Sequence, residues 1–485
     1  MDIASLLLTL LLILIGYLYL RRKLSSNLPP GPWSVPILGS LPFLGKDIRK
    51  ESLRLSNEFN SDLITISLGT QLSVFLNSFD SIKAAMSCED FMDRPDAIFF
   101  LVLGGKGIGS SNGQIWKEHR RVSLSVLRDM VTEEKTGEEI NHLIEEIQKK
   151  GSKSFEIGPL LTAATTNVIL ATLVGQRYDY EDPEFLHFAT RWKENLALLP
   201  NDSILNLFPF LRHIPGDLFN LATIKKNIDF VHVFFEKHIK EHKERFDPDD
   251  LADFLDAYLA EKERQDKKDP NNSFTDDQLL TVITDLFGAG GETTSITLEW
   301  AIFLMVTHPE IQRKIKSEID DAIGEDRFPT MKDRLNLPFT EAAVLEIQRF
   351  ASVVGLSLPH CNLHRDVMIR NFTIPKGTTL MPNLWAVHRD PKIWKNPDAF
   401  DPGNFLDDKG GVVHKPELIP FAIGRRQCPG EGLAKMEIFL IFVALLQKFT
   451  FTKPAGTANP SLEGIFGLTN APPPFEICVR PRATV

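Results

Sequence analysis

Cysteine is scarce in this chain of 485 residues, and its four cysteines stand far apart. Cys88, Cys361, Cys428 and Cys478 form no C-x-x-C pair, which argues against a zinc site. Four thiols at such spacing also indicate a reducing compartment rather than a disulfide framework. Basic residues are in the minority, with 54 Lys and Arg against 64 Asp and Glu. The resulting net charge of −10 argues against a nucleic-acid-binding protein.

Internal repeats, low-complexity tracts and an obvious inter-domain linker are absent from the sequence as well. A chain of this length usually forms two or three domains, but its Pro and Gly clusters are short and mark no boundary. We therefore predict one large domain at residues 37–485. A membrane anchor with a basic end at residues 1–23 and a Pro-rich hinge at residues 24–36 are predicted to precede it.

The first apolar run, from Ile3 to Leu20, contains no charge. As a helix it would extend roughly 27 Å, enough to cross the hydrocarbon core of a bilayer. Basic residues follow the run at positions 21–23, whereas a cleaved secretory signal, the alternative interpretation, carries its positive charge in front. The positive-inside rule leaves the following domain in the cytosol. The prolines within residues 28–32 predict a stiff spacer between the two.

Helical periodicity dominates the remaining sequence. Alternating apolar residues at 63–76, interrupted by Gly69-Thr70, predict a hairpin. Thr275 and Gln278 form a capping-box pattern that opens a long helix reaching about residue 307. Further helices are predicted near 114–130, 136–150, 159–174, 184–198, 218–245, 249–263, 309–323, 339–351 and 433–449, and strands near 367–374 and 378–381. The predicted fold class is mainly α with small β-sheets.

The segment Phe421–Gly430 carries the pattern F-x-x-G-x-R-x-C-x-G, and a helical pattern follows at once. A cysteine thiolate near the start of a helix is stabilised by free N–H groups and by the positive end of the dipole. A thiolate is a soft, electron-rich ligand of the kind that holds haem iron, and glycines let the backbone lie against a flat macrocycle. In isolation Cys428 would be an inert buried thiol, but its flanking Gly and Arg residues favour a metal ligand.

Residues 289–294 place the sequence AGGETT in the middle of the long helix. Two adjacent glycines there cost roughly 1 kcal/mol each relative to alanine, and such a local conflict is typical of a functional site. We expect the missing side chains to let dioxygen and a flat ring approach the backbone, and the weakened helix to admit water. Glu292 and Thr293 place an acid beside an alcohol, a pair that can relay protons. A helix crossing that needs small residues is the alternative.

Together these motifs resemble those of the cytochromes P450, and the order of the predicted elements is similar to that fold across residues 30–485. The hinge, the run 94–121 and the run 374–378 resemble the animal microsomal family-2-like members. The resemblance implies haem b as the cofactor, Cys428 as the axial ligand of its iron, and proton delivery through Glu292 and Thr293. It also implies contacts with the haem ring or its propionates by Phe421, Gly430, Ala289, Trp116, Arg120, Arg426, His360 and Arg94.

Glu346 and Arg349 have the i, i+3 spacing of a helical ion pair, which alone contributes about 0.3 kcal/mol. In the family that it resembles, this E-x-x-R pair is structural and ties its helix to the irregular chain before the cysteine loop. The usual third member is an arginine, but Asn404 stands at that place. Asn404 carries no charge, so the sequence leaves open whether the three-residue network forms.

The resemblance further implies partners, a location and a kind of substrate. Electrons would come from NADPH–cytochrome P450 reductase, sometimes helped by cytochrome b5, at the endoplasmic reticulum membrane. Acidic docking surfaces on those partners would face Lys117, Arg121, Arg425 and Lys435. The implied substrate contacts, at residues 95–108, 197–212, 287, 289, 353–358 and 465–466, are apolar and predict a lipophilic substrate that enters from the membrane side. Steroids, fatty acids and xenobiotics remain open.

Three functions follow from these patterns. The first is a membrane-anchored monooxygenase that inserts one atom of O₂ into a lipophilic substrate with two electrons and two protons. The second is a haem-thiolate isomerase or dehydratase, which needs no reductase, and the third is a non-catalytic haem carrier or sensor. Glu292 and Thr293 favour the first, because rearranging an oxidised lipid requires no proton delivery.

Overall fold

The computed structural model describes residues 2, 5–6, 9–16, 27–198, 204–325, 327–458 and 460–481. Of the predicted anchor and hinge, residues 1, 3–4, 7–8 and 17–26 lie outside the described residues. In the described ranges, no helix combines the length and the apolarity that a crossing of the bilayer requires.

The described helices follow the predicted order closely. They are α1 (Ile48–Glu58), α2 (Phe79–Met86), α3 (Ile98–Val102), α4 (Gly113–Met130), α5 (Glu133–Lys149), α6 (Gly158–Val174), α7 (Pro183–Leu198), α8 (Ile204–Leu207), α9 (Leu221–Arg245), α10 (Phe254–Asp266), α11 (Asp276–Thr307), α12 (Pro309–Ala322), α13 (Pro338–Ala351), α14 (Leu384–Val387) and α15 (Glu431–Lys448). Every helix that the periodicity predicted is confirmed, with ends displaced by a few residues, as is usual at frayed termini.

The strands of the described residues form four small sheets. They are β1 (Leu63–Leu68), β2 (Gln71–Leu76), β3 (His360–Cys361), β4 (Val367–Ile369), β5 (Phe372–Ile374), β6 (Thr379–Pro382), β7 (Phe449–Thr452), β8 (Ile465–Phe466), β9 (Asn470–Ala471) and β10 (Cys478–Pro481). The largest sheet has the order β1-β2-β6-β3, with β2 and β6 parallel and the other pairs antiparallel. The predicted hairpin is therefore confirmed as β1 and β2, and Gly69 supplies the positive φ of 58° that its turn requires.

Helix α11 lies at the centre of the helical core and packs most extensively against α6. Apolar residues on nearly all of its sides are buried, as expected of a helix surrounded by protein. The Thr275 hydroxyl accepts a hydrogen bond from the backbone N–H of Gln278, so the predicted N-cap is confirmed. The Gln278 side chain donates instead to the carbonyl of Gly107, so it ties α11 to the loop before α4 rather than closing a capping box.

The Glu346–Arg349 pair on α13 is completely buried. Arg349 donates two hydrogen bonds of 2.7 Å to the Glu346 carboxylate, and three further bonds to backbone carbonyls of residues 388, 397 and 399. The Asn404 amide donates to the same carboxylate at 3.2 Å, and the backbone N–H of Asp401 donates at 2.9 Å. Asn404 therefore completes the network as a hydrogen-bond donor, and the pair anchors the irregular chain that leads to the cysteine loop.

Candidate active site

Cys428 lies three residues before α15, in a loop that folds back on itself. Its backbone N–H donates to the Phe421 carbonyl at 3.0 Å. Gly424 has a φ of 86°, and a β-carbon there would lie 2.6 Å from the carbonyl oxygen of Met86. Only glycine fits this position, because it must combine a left-handed backbone with close approach to α2. The place of this glycine in the sequence pattern is thus a requirement of the loop itself.

The electrostatics of Cys428 differ from the simple helix-terminus expectation. Burial raises the pKa of its thiol to about 11, and the nearby Glu431 carboxylate raises it further, while the Gly430 N–H and Arg120 lower it. The Gly430 N–H at the helix start therefore acts in the predicted direction, but burial outweighs it, and the protein alone holds a thiol at neutral pH. A bound metal cation deprotonates a coordinating thiol outright, so the site suits a metal ligand better than a free nucleophile.

Ala289 marks a space inside the molecule, because it is exposed although it lies at the middle of the central helix. Its neighbours Leu286, Phe287 and Gly291 are all buried. The Thr293 hydroxyl, one turn further, donates to the Ala289 carbonyl at 2.8 Å and is itself in an accessible position. Cys428 is likewise half-buried in spite of its surroundings. The small side chain at 289 and the accessible hydroxyl at 293 thus border one interior opening.

The glycines of α11 serve a different purpose from the predicted one. A β-carbon on Gly290 would lie 3.1 Å from Ile169, and one on Gly291 would lie 3.1 Å from the Thr166 hydroxyl, both on α6. The Thr165 hydroxyl donates to the Gly291 carbonyl at 2.8 Å. The two glycines therefore allow α6 to approach closely, and the expectation that they admit a flat ring is wrong. The alternative interpretation, a helix crossing that needs small residues, accounts for both glycines.

Glu292 is half-buried and accepts a hydrogen bond from Thr469, in the turn between β8 and β9. Burial raises the pKa of its carboxyl group, while Lys193 and Thr469 lower it. A raised pKa makes a carboxyl group a better proton carrier at neutral pH than an exposed one. The acid and the alcohol of the predicted relay are therefore adjacent, with the acid turned toward α7 and the β8–β9 turn.

Three predicted arginines gather beside the cysteine loop. Arg120 donates to the Gln427 carbonyl, next to Cys428. Burial lowers the pKa of Arg94 and of Arg426. The positive charge of Arg120 lowers both further, and that of Arg94 also lowers the pKa of Arg426. Because a guanidinium stays charged in proteins, this clustering is an electrostatic cost that bound anions would relieve. Two carboxylates of a haem would do so.

Arg426 is more constrained than the sequence suggested. Its guanidinium lies 3.9 Å above the Trp116 ring and donates to the carbonyls of Met92, Ile108 and Ser111. Most of its donors are therefore committed to the protein, and it joins the cysteine loop to the chain before α4. The Trp116 indole N–H, in contrast, is buried and has no hydrogen-bond partner among the described residues. A buried orphan donor needs an acceptor, which a propionate would provide.

Arg94 and His360 lie against the same group of residues. Arg94 donates to the carbonyls of Gly109, Leu358 and Pro359. The imidazole Nδ1 of His360 is 2.9 Å from the Phe91 carbonyl. Burial, followed by the charge of Arg94, lowers the pKa of His360 well below its ordinary value. His360 is therefore neutral at neutral pH and could offer a propionate a hydrogen bond but no charge.

Asp285 is a buried carboxyl group in this region that the sequence reading missed. It accepts hydrogen bonds from the backbone N–H groups of Ile108 and Gly109, at 2.8 and 2.9 Å. Burial raises its pKa to about 7, while the two N–H groups and the nearby arginines lower it. Asp285 precedes Ala289 by one turn of α11, so it fixes the loop before α4 against the edge of the interior space. The sequence offered one signal for this residue: it is an acidic residue in an apolar helix, four positions before Ala289.

Phe287 was expected to contact substrate, and the structure shows that it does not face the opening. Its ring packs against Phe188, Trp192 and Phe235, with centroid distances of 4.7, 5.7 and 5.5 Å. These partners belong to α7 and α9, on the far side of α11. Phe287 is therefore a core residue, and it lies more than a right angle around the helix from Thr293.

The chain belongs to the cytochrome P450 family. The family model described as "Cytochrome P450" matches residues 29–479. Cytochrome P450 2U1 of Bos taurus is 38% identical over 513 aligned residues, which cover 99% of this chain and 94% of the relative. Cytochrome P450 2D3 of Rattus norvegicus is 38% identical over 485 residues, covering 96% and 95%. The relatives are animal family-2 P450s, so the chain is a haem-dependent monooxygenase that binds haem b through a cysteine thiolate.

Proposed function

We propose that Cys428 is the axial thiolate ligand of haem b and that the enzyme oxidises a lipophilic small molecule in the space beside Ala289 and Thr293. The observation that carries the proposal is the pairing of this interior opening with a half-buried thiol and a cluster of three arginines, two of which have pKa values lowered by their neighbours' charges. The ligand-free thiol resists ionisation, and the arginines repel one another. One bound group, an iron ion in a ring that carries two carboxylates, would resolve both conflicts.

Different residues would bind different parts of the haem. Trp116 and Arg120 on α4 would bind one propionate, while Arg94, Arg426 and His360 would surround the other. Phe421 and Gly430 would lie against the ring on the Cys428 side, and a β-carbon on Gly430 would come within 4.0 Å of the Cys428 sulfur. Ala289 would leave room on the opposite side, since its side chain is a single methyl group.

Haem b supplies the redox-active iron at which dioxygen is reduced and one of its oxygen atoms is inserted into the substrate. The chain contributes the protons that this chemistry consumes. The Thr293 hydroxyl can turn from the Ala289 carbonyl toward the opening and donate a hydrogen bond there. The neighbouring Glu292 carboxyl, whose pKa burial raises, can replace the proton that Thr293 gives up.

Electrons would come from NADPH–cytochrome P450 reductase, with cytochrome b5 as a second donor. Lys117 and Arg425 lie on the cysteine-loop side and share the Glu89 carboxylate, at 3.0 and 2.7 Å. Lys435 pairs with Glu431 at 2.6 Å. Ion pairs at least partly open to water are weak, so an acidic partner can compete for the cations. Arg121 is also exposed and completes the basic surface.

Attachment to the endoplasmic reticulum membrane, through a single N-terminal helix with the catalytic domain in the cytosol, is part of the proposal. The apolar side chains of residues 10–15 are exposed, as expected of a segment that faces lipid. Trp33 and Leu218 are 82% and 76% exposed. Large exposed apolar side chains mark contacts with lipid or partners, and these would bring the domain down onto the bilayer. A lipophilic substrate, whether steroid, fatty acid or xenobiotic, could then enter from the membrane.

Replacement of the cysteine tests the ligand assignment. We expect Cys428→Ser to abolish the red-shifted absorbance of the reduced carbon monoxide complex, because that band depends on thiolate ligation. Cys88→Ser, which changes a half-buried thiol elsewhere, should retain it. Survival of the band in Cys428→Ser would disprove the assignment.

Removal of the hydroxyl tests the relay. We expect Thr293→Ala to raise the peroxide released per NADPH consumed, because protons reach the reduced oxygen at the wrong position or too late. Thr284→Ala removes a hydroxyl with the same 2.8 Å bond to the preceding turn, at Leu280, and should leave the ratio unchanged. Product formation without NADPH in either protein would favour the isomerase instead.

A further inference from the structure

One exposed carboxylate joins three segments of the chain on the surface beside the cysteine loop. Glu89 lies in the turn that follows α2. Its oxygen Oε1 accepts a hydrogen bond of 3.0 Å from Nζ of Lys117, on α4, and one of 2.7 Å from Nη1 of Arg425, in the cysteine loop. Glu89 therefore bridges two of the cations that the proposed function assigns to the docking of the reductase.

The packing of the cysteine loop against α2 places Arg425 beside Glu89. A β-carbon on Gly424 would lie 2.6 Å from the carbonyl oxygen of Met86, the last residue of α2. Arg425 is the next residue of the loop, and Glu89 is the third residue after the helix. The two side chains therefore come together because their backbones are in contact, and not only because both side chains are long.

Buried contacts bring Lys117 to the same turn. Lys117 follows Trp116, whose ring centre lies 3.9 Å from the guanidinium carbon of Arg426. Arg426 is buried and donates a hydrogen bond of 2.8 Å to the carbonyl of Met92, three residues after Glu89. The interior thus connects α4, the cysteine loop and the turn, and Glu89 joins the same three segments at the surface.

The Glu89 carboxylate holds two like charges close together. Both hydrogen bonds end on one oxygen atom, so the cationic groups of Lys117 and Arg425 lie within about 6 Å of each other and repel. The hydrogen bond from Lys117 and the charge of Arg425 lower the pKa of the Glu89 carboxyl group, so it is ionised at neutral pH. The three groups together carry a single positive charge, whereas the two cations alone would carry two.

An acidic partner has to replace this internal carboxylate before it can use both cations. The side chains of Glu89, Lys117 and Arg425 are 59%, 49% and 61% exposed, and ion pairs so open to water are weak. The exchange is therefore accessible to a partner. A single partner carboxylate only substitutes for the internal one, however, so a net electrostatic attraction requires at least two neighbouring carboxylates, one for each cation.

We propose that Glu89 is an internal competitor of the electron-donor protein: its carboxylate occupies the place of a partner carboxylate between Lys117 and Arg425, weakens docking, and restricts this surface to partners with at least two neighbouring carboxylates. The inference rests on the proposed docking of the acidic reductase to this surface. Glu89 acts on association only, because its side-chain hydrogen bonds within the described part of the chain are with these two cations.

The first experiment measures docking directly and requires no turnover. The haem-loaded full-length protein in phospholipid vesicles would be titrated with fluorophore-labelled NADPH–cytochrome P450 reductase at low ionic strength. We expect Glu89→Gln to lower the dissociation constant by about two- to fivefold, because both cations are then free to pair with the partner. The maximal rate of haem reduction at saturating reductase should not change.

A series of charges at the same position provides the controls. Glu89→Asp, which retains the charge, should stay close to the wild type, and Glu89→Lys should tighten docking beyond Glu89→Gln. Glu184→Gln removes the same charge from an exposed pair with Lys237, between α7 and α9, and should leave docking unchanged. Raising the salt from about 10 mM to about 150 mM shortens the Debye length from about 30 Å to about 8 Å, so the effect of Glu89→Gln should decrease.

Variants of the two cations test whether Glu89 acts through them. Lys117→Met and Arg425→Met should each raise the dissociation constant of the reductase. In a protein that carries both substitutions, Glu89→Gln should lose most of its effect, because no cation remains to be released. An undiminished effect in that protein would show that Glu89 merely repels the partner, and the inference would be overturned.

The variants separate failure of the inference from failure of the proposed docking. If the cation variants weaken docking while Glu89→Gln matches the wild type, the docking surface stands and the internal competitor is disproved. If none of these variants alters docking, or if the reductase does not bind at all, both proposals fail. A merely structural role of Glu89, as a tie between α4 and the cysteine loop, predicts weaker docking in Glu89→Gln and an altered haem absorbance, which is the opposite direction.

Discussion

At the scale of single residues, Asn404 shows how a polar group can replace a charge within a buried network. Arg349 already has five hydrogen bonds, to Glu346 and to three carbonyls, so its charge is compensated without a second cation. The Glu346 carboxylate needs further donors, and the Asn404 amide and the Asp401 N–H provide them. Burial nevertheless raises the pKa of Glu346, against the opposing effect of Arg349.

The two members of this network should therefore differ in their effect on stability. We expect Glu346→Ala to lower the free energy of unfolding by about 3–5 kcal/mol, because the completely buried Arg349 loses its counter-ion. Asn404→Ala should cost about 1.5 kcal/mol, the contribution of one hydrogen bond to a charged group. Urea unfolding of the haem-loaded protein measures both.

Asp408→Ala, at an exposed position nearby, is the control and should stay within about 0.5 kcal/mol of the wild type. Equal losses for Asn404→Ala and Glu346→Ala would show that the amide, not the ion pair, anchors the chain before the cysteine loop.

At the scale of secondary-structure elements, the glycines of α11 are explained by helix packing. Gly290 and Gly291 face α6, and Gly288 faces Trp192 on α7. Small residues let helix axes approach closely, and the resulting contacts offset the loss of helix propensity. The functional side chains at 289, 292 and 293 lie between these packing positions. One short sequence thus contains both the glycines that pack against neighbouring helices and the functional side chains, which lie on different sides of the same helix.

Gly288 offers the sharpest test of this packing. A β-carbon there would lie 2.0 Å from Cζ2 of Trp192, so we expect Gly288→Ala to destabilise the protein by about 1–3 kcal/mol through overpacking. Combining it with Trp192→Leu should recover part of that loss, because the two residues are in contact and their effects are not additive.

Gly137→Ala, within α5, is the matched control. Nothing lies within 4 Å of its added β-carbon, so it should be neutral or stabilising by up to about 1 kcal/mol. A Gly288→Ala variant as stable as Gly137→Ala would contradict the packing explanation for this glycine.

At the scale of the whole molecule, buried neutral histidines connect distant helices and make stability depend on pH. His119 on α4 lies 2.7 Å from the Tyr258 hydroxyl on α10 and 3.2 Å from the Ser273 hydroxyl before α11. Burial lowers the pKa of His119 to about 4 and that of His388 to about 3. Because the unfolded histidines ionise near 6.5, the unfolded chain binds more protons than the folded one below that pH.

The resulting stability is fully present above pH 6.5 and is lost as the pH falls toward 4. We expect the urea midpoint to decrease between pH 7 and pH 5, and His119→Gln to reduce that decrease, since glutamine can still donate and accept hydrogen bonds but does not titrate. His213→Gln changes an exposed histidine and should leave the slope unchanged. An unaltered slope in His119→Gln would exclude this histidine as the cause.

The amino-acid sequence determined the elements and the chemistry that its local patterns encode. Periodicity was enough for the helices and the hairpin, because the spacing of apolar residues is a property of the chain alone. The cysteine loop and the acid–alcohol pair were also readable, since their residue types and spacing are set by local backbone geometry. Membership of the P450 family followed from the same motifs.

Only the tertiary structure decided which neighbours those residues meet. The glycines of α11 and Phe287 turned out to pack against other helices, because the face that a helical residue presents depends on where the surrounding helices lie. Asn404 proved to complete a network that its missing charge had left in doubt. Burial raised the pKa of Asp285, against the opposing effect of N–H groups and arginines that lie far away in the sequence. Burial and charge proximity are properties of the folded molecule, and no local pattern encodes them.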